Sequence, residues 1–372
     1  MDYPADAATV RSLIQSVANL EAERTLALDE VELADYGLET PVLGLVMVAS
    51  DGRRFTLAVG EETPLGSKRA LRRNVEDQIV LGPGGFVANL DQDLDQWRAR
   101  GVVNELEREL ASVEIETAED RIRAVQVNGR WRLEEPVVDL ADAEQMRSLV
   151  SELGALRVSE FLPADADTTE LGLDHPAFRV VLVRTDGEAG TTLELSAAED
   201  EDGSGLVVCR RNGVDLFRVP ESINIRLSKA PVLWRSNKVW PFSSWDVTGV
   251  EVSVADETRV LERTDDEDFG KTWRFADGSE ADNVEVSRRL GALTDLEVRE
   301  HDLLLPPTEV LGSVVLTLDG DESAEDLTFT FYAPIEDGGH AAVTVSARDN
   351  VMGVDAATVE TIVGDLERLR PA

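Results

Sequence analysis

Cysteine is nearly missing from this 372-residue chain: Cys209 is the only one, so no disulfide can close within it. That neither requires nor excludes an oxidising compartment. Histidine is almost as scarce, at 3 residues. No two histidines have helical metal-ligand spacing, and Cys209 has no Cys or His neighbour in sequence to share a metal or form a nucleophile pair. Aromatics make up 5%, so aliphatic side chains must build most of the core. Positive charge is the largest deficit: 36 Lys and Arg face 74 Asp and Glu, a formal net charge of −38. Binding phosphates needs clustered cations, so nucleic acid is excluded as a natural partner, and an anionic membrane surface is disfavoured for the same reason. Such a surface stays soluble and attracts cations and basic proteins. Long apolar runs are absent too. The longest, Val42 to Ala49, is far below the roughly 20 residues of a spanning helix. Met1 leads directly into Asp2-Tyr3-Pro4-Ala5-Asp6, which is not a signal peptide.

What the chain does have is internal repetition. One apolar stripe reads Val10, Leu13, Ile14, Val17, Leu20, and a second reads Met146, Leu149, Val150, Leu153, Leu156, at a constant offset of 136 (Leu149 against Leu13). Spacings of i, i+3, i+4 and i+7 place each set on one face of a helix. A third stripe, Val286, Leu290, Leu293 and Leu296, departs once, with Arg289 where an apolar residue is expected. Ala5-Asp6, Ala141-Asp142 and Ala281-Asp282 precede the stripes, and Asp142 with Gln145 and Asp282 with Glu285 have capping-box spacing.

After each helix a hairpin is expected. The first runs Val42–Ala49, Asp51-Gly52, Arg53–Val59, the second Ala177–Val183, Asp186-Gly187, Thr191–Ser196, and the third Ser313–Leu318, Asp319-Gly320, Leu327–Ala333. Short strands follow at Gln78–Leu81, Leu206–Arg210 and Ala342–Ser346, then a closing helix. That helix carries Leu90, Leu94 and Trp97 in the first copy and Val359, Ile362, Val363, Leu366 and Leu369 in the third; Pro231 interrupts it in the second. Trp97-Arg98 and Trp234-Arg235 coincide. Two copies open with strands: Val113-Glu114-Ile115 matches Val250-Glu251-Val252, Arg121–Val127 matches Thr258–Arg263, and Trp131-Arg132-Leu133 matches Trp273-Arg274-Phe275. The first copy lacks them, so the chain reads as a piece of a longer protein whose N-terminal part is missing. The expected fold is α+β: tandem repeats, each a small, mostly antiparallel sheet packed against two helices. The expected domains are 1–105, lacking its opening strands, then 106–240 and 241–372.

A strand ending in Trp131-Arg132-Leu133, the Glu134-Glu135-Pro136 turn, the Ala-Asp helix starts, and Ala34-Asp35-Tyr36-Gly37-Leu38-Glu39-Thr40-Pro41 before an Asp-Gly hairpin together resemble the repeats of the family called domain of unknown function 4340. The resemblance implies extracytoplasmic domains behind one N-terminal membrane anchor, in the periplasm or cell envelope of bacteria. It also implies genes beside ABC-type export permeases and gliding-motility auxiliary proteins. It supplies no catalytic residue and no cofactor. The function it implies is a non-enzymatic accessory or scaffold domain of a membrane-anchored protein, with an ABC-type permease or other envelope proteins as partners. The alternative is a ligand-binding module for envelope polysaccharide or a divalent cation.

The residues offer few competing sites. His175 precedes a proline, His301 lies near a helix end and His340 follows Gly338-Gly339; each reads as solvated or locally hydrogen-bonded. The acidic runs Glu199–Gly203, Asp265–Asp268 and Asp319–Glu322 lack EF-hand spacing and read as solvated loops. Leu81-Gly82-Pro83-Gly84-Gly85 lacks the Lys-Ser/Thr of a phosphate loop and reads as a turn. Val239-Trp240-Pro241-Phe242-Ser243-Ser244-Trp245, at the junction of the second and third copies, is the aromatic cluster of interest. It either seals the junction or offers Trp240, Phe242 and Trp245 to a partner.

Overall fold

A computed structural model describes residues 3–63, 68–74, 76–90, 92–197, 205–266, 270–303, 309–319, 326–334, 339–367 and 369. The acidic run Glu199–Gly203, the later parts of the runs at 265–268 and 319–322, and the turn at 304–306 lie outside them. The chain is α+β: the described residues form six α-helices and three sheets whose strand pairings are antiparallel. It divides into two compact units, Met1–Gly101 and Val102–Ala372.

Unit 1 begins with α1 (Ala7–Ala18), followed by β1 (Arg24–Ala27), β2 (Leu43–Val48), β3 (Arg54–Glu62), β4 (Lys68–Arg73), β5 (Gln78–Pro83) and the short α2 (Leu94–Trp97). Its sheet runs β1-β5-β4-β3-β2. Leu26, Leu38, Ala70 and Ile79 form one buried cluster, and Val59, Leu71 and Phe86 form another, against which Val17 and Leu20 of the helical side pack. Strand β4, Lys-Arg-Ala-Leu-Arg-Arg, is hidden from pattern reading by its basic residues, yet Ala70 and Leu71 are its buried centre. Its presence moves Gln78–Pro83 one place along the sheet from the expected match with Leu206–Arg210. The expected closing helix is likewise split, into a 3-10 turn at Gly85–Asn89 and α2, and Leu94 stays exposed.

Unit 2 holds two sheets. The first is built from β6 (Leu110–Glu116), β7 (Arg121–Val127), β8 (Arg130–Glu135), β9 (Asp139–Leu140), β10 (Glu160–Phe161), β11 (Phe178–Arg184), β12 (Ala189–Leu195), β13 (Leu206–Arg211) and β14 (Asp215–Pro220). Its order is β10-β14-β13-β12-β11-β6-β7-β8-β9. Helices α3 (Ala143–Ala155) and α4 (Ser222–Leu227) belong to this half. The second sheet comprises β15 (Val247–Val254), β16 (Glu257–Asp266), β17 (Gly270–Phe275), β18 (Val310–Leu318), β19 (Leu327–Pro334), β20 (His340–Val345) and β21 (Met352–Asp355), with α5 (Asn283–Thr294) and α6 (Ala356–Glu367). Its order, β17-β16-β15-β18-β19-β20-β21, follows the same path as β8-β7-β6-β11-β12-β13-β14. The order in unit 1 follows the β10-to-β11 half of that path.

Local chemistry explains the elements. Asp6, Asp142 and Asp282 each sit at a helix N-cap and accept an amide three residues on: Thr9 at 2.7 Å, Gln145 at 2.8 Å and Glu285 at 3.2 Å. The reciprocal half of the capping box does not form, because Gln145 Oε1 accepts instead from Lys229 Nζ and Arg226 Nη1. The Asp6 amide donates to Trp97 O at 2.7 Å and the Asp142 amide to Trp234 O at 2.8 Å, so each cap is tied to the same point of its closing segment. Arg289, the exception in its stripe, lies along α5 with its stem covered; its Nε donates to Asp365 O of α6 at 2.9 Å and Nη1 meets Glu285 at 3.1 Å. It thus donates to a carbonyl in the last turn of α6, where helical carbonyls run out of intrahelical partners. At the bulge in β11–β12, a Cβ on Gly190 would sit 2.2 Å from Leu182 O, so only glycine fits.

Candidate functional site

The two sheets of unit 2 meet at the segment that links them, residues 234–246, and the polar chemistry of the unit concentrates there. Asp139, at the start of β9, has a fully buried side chain. Its Oδ2 accepts from Arg235 Nε at 2.6 Å, and its Oδ1 accepts from Arg348 Nε at 2.8 Å and from the Leu140 amide at 2.7 Å. Arg348 comes from the turn after β20, its side chain is 1% exposed, and its Nη1 also donates to Lys238 O at 2.7 Å and Val239 O at 3.0 Å. Arg235 reaches outward to Asp302, donating from Nη2 to Oδ1 at 2.8 Å. The cluster therefore ties the first sheet, the linker and the second sheet through one carboxylate.

Burial sets the electrostatics. It pulls the Arg348 guanidinium below its ordinary value, against the pull of Asp139. Burial also lowers Arg235, but its hydrogen bonds to Asp302 and Asp139 outweigh that and raise it. The Arg235 hydrogen bond holds Asp302 below the usual carboxylate range. His301 Nδ1 lies 3.8 Å from Asp139 Oδ2, too far for a hydrogen bond; burial, reinforced by Arg235, pushes its pKa down, so the neutral imidazole is favoured.

Above this cluster lies a cleft with a cavity of about 580 Å³, edged by Arg130, Arg147 and Lys238 and by Glu107, Glu144 and Asp246. The three residues singled out in the sequence have different fates around it. Trp240 is half-buried, with the Arg130 guanidinium stacked 5.1 Å from its ring centroid; Arg130 Nη1 donates to Pro241 O at 2.8 Å. Phe242 is a core residue, packed edge-on against Phe329 with centroids 6.1 Å apart, and its amide donates to Thr294 Oγ1 at 3.1 Å. Trp245 is 78% exposed, with Arg263 5.5 Å from its ring centroid and donating to its carbonyl at 2.7 Å. The linker thus buries Phe242 in the core of the second sheet and presents Trp245 to solvent.

The remaining candidates disperse. His175 is exposed, and His340 faces Glu300 at 3.5 Å. Cys209 is fully buried in β13 and burial pushes its thiol pKa up, which disfavours a reactive thiolate. Among the described residues, no group of three or more His, Cys, Asp or Glu is placed to hold a metal, and no helix is long and apolar enough to cross a membrane. The charge cluster escaped sequence reading because its members lie up to 209 residues apart. A lone Asp139 within Val137-Val138-Asp139-Leu140-Ala141, and the basic residue after each of Trp97 and Trp234, were its only traces.

Comparison with known proteins yields one family. The family described as Domain of unknown function (DUF4340) matches residues 1–176 and, overlapping, 131–308. No curated protein and no solved structure matches the chain.

Proposed function

The chain belongs to the family described as Domain of unknown function (DUF4340), and from that premise we propose that it is a non-enzymatic accessory or scaffold domain of a membrane-anchored protein that works beside an ABC-type transporter on the outer side of the cytoplasmic membrane. It is built as tandem repeats, each a small antiparallel sheet packed against two helices. The shared strand path of the sheets, the three Asp caps and the overlapping family matches support that architecture.

The observation that carries the functional reading is Trp245. A large indole left 78% exposed, with its ring backed by Arg263 and its carbonyl pinned by the same side chain, is an ordered anchor for a protein partner. The buried charges of Asp139, Arg235 and Arg348, by contrast, are occupied in holding two sheets together. The linker's exposed face is left for recognition. A photo-crosslinking residue placed at position 245 in cells should capture a permease subunit, and one at Ile225, also exposed, should not. Capture no greater at 245 than at 225 would defeat this reading.

The cleft of about 580 Å³ lined by Arg130, whose guanidinium also stacks on Trp240, favours a second reading, a module that binds an envelope polysaccharide. Retention on a glycan array, lost in Arg130→Ala, together with failed capture at 245, would favour it.

A further inference from the structure

We propose that the outer edge of β2, with the apolar face of α1, is a docking surface for a three-stranded antiparallel meander of polypeptide. Four observations in unit 1 converge on it. First, strand order: β11 and β18, which occupy the place of β2 in their sheets, are flanked on that side by β6 and β15, whereas β2 ends its sheet. Second, the inward residues of β11, Phe178, Val180 and Leu182, are buried, while those that take the same register on β2, Leu43, Leu45 and Met47, are only half-covered. Third, α1 buries no side chain although it carries the stripe of α3, and Ile14 is 50% exposed. Fourth, β2 reads Leu-Gly-Leu-Val-Met-Val without one charged residue.

The fourth point separates β2 from the other sheet edges. Free edges are normally kept short or charged to prevent unwanted pairing. Strands β9 and β10 have 2 residues each, β1 and β21 have 4, and β17 carries Lys271 and Arg274. Among the described edge strands, β2 alone combines six residues with no charge. A bare edge and an uncovered helix, side by side, suit one occupant. Its chemistry follows from β6–β8: aliphatic side chains at alternate positions, as Val113 and Ile115 pair with Leu182 and Val180, and a tryptophan on the third strand, as Trp131. The inference stands on the geometry of unit 1 and does not depend on the transporter reading.

Two arms test it in the full chain, read by hydrogen exchange. In one, a synthetic peptide of residues 110–135 is added in excess. In the other, residues 106–141 are grafted ahead of Asp6, reproducing the link that joins β8 to α3. Docking should slow exchange of amides in Leu43–Val48 and Ala7–Ala18 by at least about ten-fold. The same peptide and graft carrying Val113→Lys and Ile115→Lys should lose the effect. Unchanged exchange in both arms overturns the proposal. So does a chain that sediments as a dimer with β2 already protected, because the edge would then be occupied by a second copy.

Discussion

Helices α1 and α3 carry the same apolar stripe, yet α3 buries Met146, Leu149, Val150 and Leu153 while α1 buries nothing. The difference lies beneath the helices. In unit 2, β6–β8 widen the sheet and bring Trp131 and Leu133 into the core that covers α3; in unit 1 the sheet stops at β2. An amphipathic pattern therefore specifies that a helix forms and which face is apolar, but the extent of burial belongs to the partner surface. The same contrast recurs one turn before each helix. Where Asp139 sits in unit 2, the offset of 136 places Tyr3 in unit 1. Arg98, the counterpart of Arg235, lies over that ring at 5.4 Å and pairs with Asp95 at 2.8 Å. One position hosts a buried ion pair, the other a stacked cation.

The comparison can be broken most forcefully at that position. Asp139→Ala leaves Arg348 buried without its carboxylate and should cost unit 2 about 3–5 kcal/mol. Tyr3→Ala, which removes a stacking contact, should cost unit 1 about 1 kcal/mol or less. Urea unfolding monitored by hydrogen exchange resolves the two units, which one global transition would merge. Next is the stripe: Leu149→Ala should lose about 2–5 kcal/mol, and Leu13→Ala, at the equivalent half-covered site, clearly less. Equal losses would mean that α1 is as well packed as α3.

The caps should sharpen the comparison by refusing to differ. Asp6 and Asp142 make the same local hydrogen bond, so Asp6→Ala and Asp142→Ala should each cost about 1 kcal/mol in their own unit. The smallest effect is a pH slope. Burial holds the folded pKa of His301 below its ordinary 6.5, so the unfolded chain binds a proton that the folded chain resists. Unit 2 should lose stability as pH falls from about 7.5 through that ordinary value to about 5.5, and His301→Gln should flatten the slope. Asp302 has the opposite chemistry and a separate window: its depressed pKa adds stability that is lost only as pH falls through 3.8 and below. Unit 1, whose sequence holds no histidine, should show no slope in the upper window.

Much of this was legible in the sequence for a physical reason. The caps, stripes, opening strands and the Asp-Gly hairpins at 51–52 and 186–187 are short-range devices, written in residues within one or two turns of each other, and these appear where their patterns placed them; the third Asp-Gly turn, from Gly320 on, lies outside the described residues. Strand β4 was missed because four basic residues mask its buried Ala70 and Leu71. The capping box at Asp142 failed on its second half because the Gln145 side chain found longer-range partners in Arg226 and Lys229. The aromatic linker was recognisable as a cluster, but the division between Phe242 inside and Trp245 outside depends on Phe329, a strand away in space and distant in sequence. The Asp139 cluster is the extreme case, since no local rule ties residues 139, 235 and 348.

That long tie also imposes an order on manufacture. Synthesis at about 5–20 residues per second brings Arg348 out roughly 10–40 s after Asp139, because 209 residues separate them. For the first 96 residues of that interval the carboxylate lacks both of the cations that justify its burial, and for the rest it lacks Arg348, so the β9 end of the first sheet has reason to remain open to water. The turn after β20, made late in the chain, therefore completes a charge cluster at the β9 end of a sheet begun some two hundred residues earlier.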